Sequence, residues 1–142
     1  MMGQKESERE ALLAMIKEEQ ATSGYLSKAA MARVSGALGV TLGDVYGATT
    51  FYSFLSTWPM GRHVIRICKS VPCCMKDAER LIEWVGKELG IGPGETTPDG
   101  RFTLTLTNCI GACDQAPAML IGDEMYGQLT PDRISAILKS FD

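Results

Sequence analysis

Five cysteines stand in two groups, Cys68-Lys69-Ser70-Val71-Pro72-Cys73-Cys74 and Cys109-Ile110-Gly111-Ala112-Cys113. An odd number fits a disulfide framework poorly, and a reducing cytosol would keep such thiols free. The chain has a single histidine, His63, so any metal or redox site here must be built from thiolates. Zinc modules pair their cysteines at about two to four intervening residues. Here four residues separate Cys68 from Cys73, three separate Cys109 from Cys113, and 35 lie between Cys73 and Cys109. A two-iron cluster is wider than one ion, and each iron takes two thiolates, so wider loops suit it. The spacing leans to iron–sulfur and leaves zinc open. A [2Fe–2S] cluster on four thiolates carries a charge of about -2, or about -3 when reduced. Lys69 and Lys76 flank the first group, and a helix expected to begin near Met75 would turn its free amides toward it. Gly111 would let backbone come close to sulfur.

Both groups directly follow a strand candidate. His63–Ile67 is the first, and Phe102-Thr103-Leu104-Thr105-Leu106-Thr107 alternates strictly, as a half-buried strand does. If the two pair in parallel, the loops leaving their C-terminal ends meet at one edge of the sheet, where open α/β sheets collect ligands. Between them, residues 75–89 read as a helix with Ala78, Leu81, Ile82, Val85 and Leu89 on one face. Gly90–Gly100 is a loop. Residues 118–121 and 124–127 flank Gly122-Asp123 as a two-residue hairpin. Thr130-Pro131 caps a last helix with Ile134, Ile137, Leu138 and Phe141 inward. Strands and helices in this order predict a small mixed sheet with helices packed on it.

Upstream of Trp58-Pro59-Met60-Gly61 the chain reads as wholly helical. Ser7-Glu8-Arg9-Glu10 has the form of a capping box ahead of Leu12, Leu13 and Ile16. Ser27 opens a second helix that ends near Gly39. Thr41–Asp44 opens a short third, and Thr49–Phe54 a fourth.

The 142 residues carry a net charge of -3, with 45% hydrophobic and 22% charged residues. Without a basic stripe, nucleic acid is not an expected partner. No apolar run reaches the length of a membrane span, and Met1–Gln20 lacks the apolar core of a secretory signal. The expected location is the cytoplasm.

The cysteine pattern resembles the thioredoxin-like [2Fe–2S] subunit of respiratory NADH dehydrogenase, the 24 kDa subunit family. Its members also serve as small subunits of cytosolic NAD- or NADP-linked hydrogenases and formate dehydrogenases. The family's Cys-x4-Cys and Cys-x-Gly-x-Cys motifs are met by Cys68, Cys73, Cys109, Gly111 and Cys113. Ala116-Pro117-Ala118-Met119, Gly24-Tyr25-Leu26 and Thr50-Phe51-Tyr52-Ser53-Phe54 also look like the family, so the likeness covers about residues 10 to 140. The resemblance implies an α+β chain: an N-terminal helical bundle over residues 1–60, then a thioredoxin-like ferredoxin domain over 61–142. It implies one [2Fe–2S] cluster on Cys68, Cys73, Cys109 and Cys113, and no catalytic residue on this chain. It also implies a larger iron–sulfur flavoprotein partner that binds FMN and NAD(P). Among parent complexes the first expectation is an electron-bifurcating hydrogenase. A formate dehydrogenase or a respiratory NADH:quinone oxidoreductase are the alternatives. Cys74 departs from the pattern and offers a second candidate for the ligand position of Cys73; the family spacing selects Cys73.

Two functions of other classes compete. A thiol–disulfide oxidoreductase normally needs Cys-x2-Cys at a strand-to-helix turn, and this chain has Cys-x4-Cys there. A structural zinc adaptor needs only the four thiolates. The remaining residues take plainer roles: Cys74 a spectator thiol, His63 structural, Met15 and Met31 core filler. Phe51, Tyr52 and Phe54 read as core aromatics, Trp84 as cover for a helix or a partner surface, and Glu18-Glu19 as a solvated face. Gly90–Gly94 precedes no helix, so it is no dinucleotide loop.

Overall fold

A computed structural model describes residues 2–141; the side chains of residues 2–10 lie outside the description. The chain divides into two compact units, Met1–Met60 and Gly61–Asp142.

The first unit holds three helices, α1 (Met2–Ser23), α2 (Lys28–Leu38) and α3 (Leu42–Phe51). α1 starts upstream of Ser7, so the expected start signal falls inside the helix; the Ser7 and Glu10 side chains lie outside the described residues. Ser27 caps α2 by accepting from the Ala30 amide, and Gly39 ends it in the left-handed conformation. Thr41 and Asp44 form a reciprocal capping box on α3. Leu12, Ile16, Leu26, Met31, Val34 and Val45 fill the space between the helices, with Met15 packed against them. Glu19 grips Arg33 through both carboxylate oxygens, at 3.1 and 2.6 Å, and so ties α1 to α2 instead of facing solvent alone. This exposed pair contributes at most about 1 kcal/mol.

The expected fourth helix over Thr49–Phe54 does not form. α3 runs on to Phe51, and Tyr52 leaves it in extended conformation. The aromatics of this stretch are not core either. Val45 and Thr49, four residues apart, take the buried face of α3. Phe51 falls outside that stripe and is 79% exposed, and Tyr52 and Phe54 are also exposed.

The second unit is a four-stranded sheet in the order β2-β1-β3-β4, built from β1 (His63–Cys68), β2 (Phe102–Thr107), β3 (Met119–Ile121) and β4 (Glu124–Tyr126). β1 runs parallel to β2 and antiparallel to β3. β3 and β4 form the expected hairpin. Gly122 has φ +61° where Asp123 has no positive φ, the pattern of a turn with glycine first. Ile65 and Ile67 of β1, Leu104 of β2 and Met119 of β3 face α5 (Ala78–Leu89) and α6 (Pro131–Lys139), which contribute Leu81, Val85, Ile134 and Leu138. Thr130 caps α6 by accepting from the Arg133 amide, with Pro131 in the first turn. His63 lies against Phe102 and Phe141, with ring centroids 5.6 and 5.0 Å away, in the structural role expected of it.

The helix expected to begin near Met75 is broken in two. A four-residue α4 (Val71–Cys74) comes first, and α5 starts only at Ala78 because Asp77 is left-handed at φ +61°. That conformation costs a non-glycine residue roughly 1 kcal/mol and cannot continue a helix.

Gly127 sits where backbone and side chain come close. A Cβ there would lie 2.5 Å from Gln115 Cβ and 2.9 Å from the Gln115 carbonyl oxygen. The Gln128 amide donates to that same carbonyl at 2.6 Å. Gly127→Ala should therefore destabilise the chain by about 1–3 kcal/mol through overpacking. Gly47→Ala, inside α3 with open space around it, should stabilise it by about 0.5–1 kcal/mol. Urea unfolding followed by far-ultraviolet circular dichroism checks both signs.

Candidate metal centre

The parallel ladder ends with Cys68 opposite Thr107. The Lys69 amide then donates to the Thr107 carbonyl at 2.9 Å, which keeps the two departing loops side by side. α4 follows at once and carries Cys73 on its inner side. Cys68 and Cys73 are both buried, packed with Ala78 from the first turn of α5 and flanked by Ile110 and Ala116. The second loop brings Cys109 and Cys113, both exposed, with their sulfurs 3.6 Å apart. A tetrahedral metal with bonds of about 2.3 Å spaces two thiolates about 3.8 Å apart, so this pair already has the width of one metal's edge.

The four sulfurs are arranged as two pairs. Cys68 and Cys73 share one buried cluster, and the Cys109 and Cys113 sulfurs are in hydrogen-bond contact. The pairs sense one another electrostatically: Cys113 interacts with Cys68 and Cys73, and the Ile110 amide donates to the Cys68 sulfur. Among the described residues no three His, Cys, Asp or Glu side chains are placed to hold a single ion.

Amides point at the sulfurs from several elements. Cys68 receives the Ser70 amide and hydroxyl as well as the Ile110 amide. Cys73 receives the Ala118 amide, and Cys109 receives that of Gly111 at 3.4 Å. Burial works against ionising Cys68, but these donors and the Cys73 thiol outweigh it and hold Cys68 below the ordinary thiol value. Cys73 goes the other way, pushed up to about 11 by burial and by its hydrogen bond to Cys68. Cys113 is raised by its hydrogen bond to Cys109 and by the charge there. A donor set of four thiols ringed by amides fits a thiolate-bound, anionic group.

Cys74 is a different kind of thiol. It is exposed, and its S–H donates to the Lys69 carbonyl at 3.2 Å, a contact within its own loop. All five cysteines are free of disulfides.

Two expected contributions take another form. After the break at Asp77, α5 offers Ala78 as packing, and the amides on the sulfurs come from Ser70, Ile110, Gly111 and Ala118. Gly111 supplies conformation: its φ is +82°, and nothing lies within 4 Å of where a Cβ would sit. The contacts of two residues escaped the sequence reading. Ala118 both accepts from the Cys68 amide, at 3.2 Å, and donates to the Cys73 sulfur. Gly127 lets the end of β4 press on the turn Cys113–Gln115. Neither has a local signal, because each meets a partner distant in sequence. The Ala116–Pro117 bond beside them is cis.

Comparison with known proteins places the chain in a family. The family model for thioredoxin-like [2Fe–2S] ferredoxin matches residues 1–142. A subunit of the NADH-quinone oxidoreductase of Pseudomonas aeruginosa is 39% identical over 136 residues, which is 96% of this chain and 82% of that one. The subunit HndA of the NADP-reducing hydrogenase of Solidesulfovibrio fructosivorans is 33% identical over 130 residues, 92% of this chain and 76% of that one. A crystal structure of an NAD+-reducing [NiFe]-hydrogenase superposes with a TM-score of 0.76 at 26% identity, covering 89% of this chain and 22% of that far longer one. The chain belongs to the thioredoxin-like [2Fe–2S] ferredoxin family.

Proposed function

We propose that this chain is the one-electron subunit of an NAD(P)-linked oxidoreductase, with Cys68, Cys73, Cys109 and Cys113 holding its cluster. The observation that carries the reading is the pairing of the sulfurs: two pairs within reach of each other, and no trio fit for a single ion among the described residues. That arrangement suits two metals better than the one metal of a zinc adaptor. When bound, a [2Fe–2S] cluster supplies one-electron oxidation and reduction, which complements a two-electron flavin. The protein's own part is to bind the irons through sulfur, to offset negative charge with the Ser70, Ile110, Gly111 and Ala118 amides, and to keep water from the Cys68–Cys73 side. Dithiol chemistry is disfavoured by the spacing, because a thiol–disulfide oxidoreductase normally needs Cys-x2-Cys at a strand-to-helix turn and this chain has Cys-x4-Cys there.

The partner in this reading is a larger flavoprotein that binds FMN and NAD(P) and has its own iron–sulfur centres. Its support is the company the relatives keep in NADH-quinone oxidoreductase and in NAD(P)-linked hydrogenases. Val71 and Met75 are large apolar side chains left exposed beside the cysteine loop, as a docking face requires. The N-terminal helices belong to the same reading as a helical bundle, with Phe51 and its exposed neighbours available to a partner. Two parent complexes are in view. The hydrogenase, including the electron-bifurcating kind, is supported by the HndA relative. The quinone oxidoreductase is supported by the higher identity of the Pseudomonas aeruginosa relative, 39% against 33%. Among the described residues no helix is long and apolar enough to cross a membrane, so a membrane-bound parent would hold this chain as a peripheral component.

Native purification through a tag on this chain should bring down an FMN-containing protein with NAD(P)H dehydrogenase activity. A hydrogenase subunit or quinone-reducing subunits in the same complex would identify the parent. Recovery of the chain alone, able to reduce NAD unaided, would contradict the proposal. Cys73→Ser should abolish or shift the electron paramagnetic resonance signal of the reduced protein. Cys74→Ser should leave it unchanged, and the reverse outcome would move the ligand to Cys74.

A further inference from the structure

We infer that the cleft between α5 and the start of α6 docks an acidic one-electron carrier protein beside the Cys68–Cys73 pair. The inference rests on the one-electron function proposed above. α5 serves two purposes at once. Ala78 in its first turn is packed on Cys68 and Cys73. Lys76, Arg80 and Trp84 line a cleft of about 260 Å³ together with Pro131 of α6. Pro117 also lines the cleft. Its preceding residue, Ala116, packs on the cysteine pocket, and its following residue, Ala118, donates to the Cys73 sulfur. A group resting on Pro117 is therefore one residue removed from the site on either side.

The charges favour an anionic visitor. Lys76 and Arg80 form no ion pair and no side-chain hydrogen bond among the described residues. Asp77 is the one carboxylate lining the cleft, and Glu79 and Glu83 of the same helix are not part of its wall. The cleft is thus locally positive on a chain whose net charge is -3. The start of α6 adds the partial positive charge of a helix N-terminus, with the Asp132 carboxylate in its first turn set against it. The size favours a protein over a nucleotide: small-molecule sites run from about 300 to 1,000 Å³ and bury most of their ligand. A cleft below that range admits projecting carboxylate side chains. Trp84, 40% exposed between the cations and the apolar wall, is the residue type that anchors protein interfaces. Electron-transfer encounters are small and steered by charge, which matches a cleft of this kind.

Zero-length carbodiimide cross-linking of the cluster-loaded chain tests this, with an acidic plant-type ferredoxin as probe and basic cytochrome c as control. The expected product is an amide between Lys76 and a ferredoxin carboxylate, located by peptide mapping. Its yield should fall about tenfold in Arg80→Glu and at about 0.5 M salt, and should fall in Trp84→Ala, while cluster absorption stays unchanged. Cytochrome c should give no product at Lys76. Cross-links spread evenly over Lys28, Lys87 and Lys139, or a yield indifferent to Arg80→Glu, would overturn the inference. So would protection of Lys76 from acetylation by NADH at micromolar concentration, which would mark a nucleotide site. Colourless protein free of iron would instead fail the function proposed above, before any cross-linking is done.

Discussion

The parallel ladder between β1 and β2 runs from His63 opposite Phe102 to Cys68 opposite Thr107, and the chemistry of the second unit depends on where it stops. A one-residue slip would turn Cys68 to the opposite face of the sheet, since side chains alternate along a strand. Three features fix the register. Ile65, Ile67 and Leu104 must all face α5 and α6. The Lys69–Thr107 bond carries the ladder one step past the strand ends. β3 holds the other side of β1, and Ala118 just before it bonds with both Cys68 and Cys73. The hydrophobic core and the sulfur site are thus specified by the same strand pairings, with the site at their C-terminal end.

That construction explains the division of labour among the cysteines. Cys68 and Cys73 lie inside, where amides and a neighbouring thiol set their ionisation against the cost of burial. Cys109 and Cys113 lie on a loop whose shape comes from the left-handed Gly111 and from the turn that Gly127 allows to sit tightly against β4. One pair is buried and rigidly framed, and the other is open to solvent. A partner that covers the exposed pair would complete the exclusion of water from the site, which in turn tunes a reduction potential.

Much of this was legible in the residues. The strict alternation of Phe102–Thr107, the Ser27, Thr41 and Thr130 caps and the Gly122-Asp123 hairpin each state a local rule, and the fold obeys them. What could not be read depends on partners remote in sequence. Asp77 adopts a left-handed conformation, which Asp tolerates better than most residues but takes up only occasionally, so the helix break beside Cys73 is not announced locally. Phe51, Tyr52 and Phe54 resemble core residues because they are aromatic, but Val45 and Thr49 take the inner stripe of α3. Glu19 reads as solvated until α2 brings Arg33 across to it. Gly127 and Ala118 matter only through Gln115 and the Cys68–Cys73 pair, which local patterns do not reveal.

The most direct measurement of the central claim is metal and sulfide analysis of the anaerobically purified chain, together with its visible spectrum. Two irons and two acid-labile sulfides per chain, in brown protein, are the predicted result. One zinc per chain, or colourless protein that takes up no iron and sulfide on reconstitution, would contradict it.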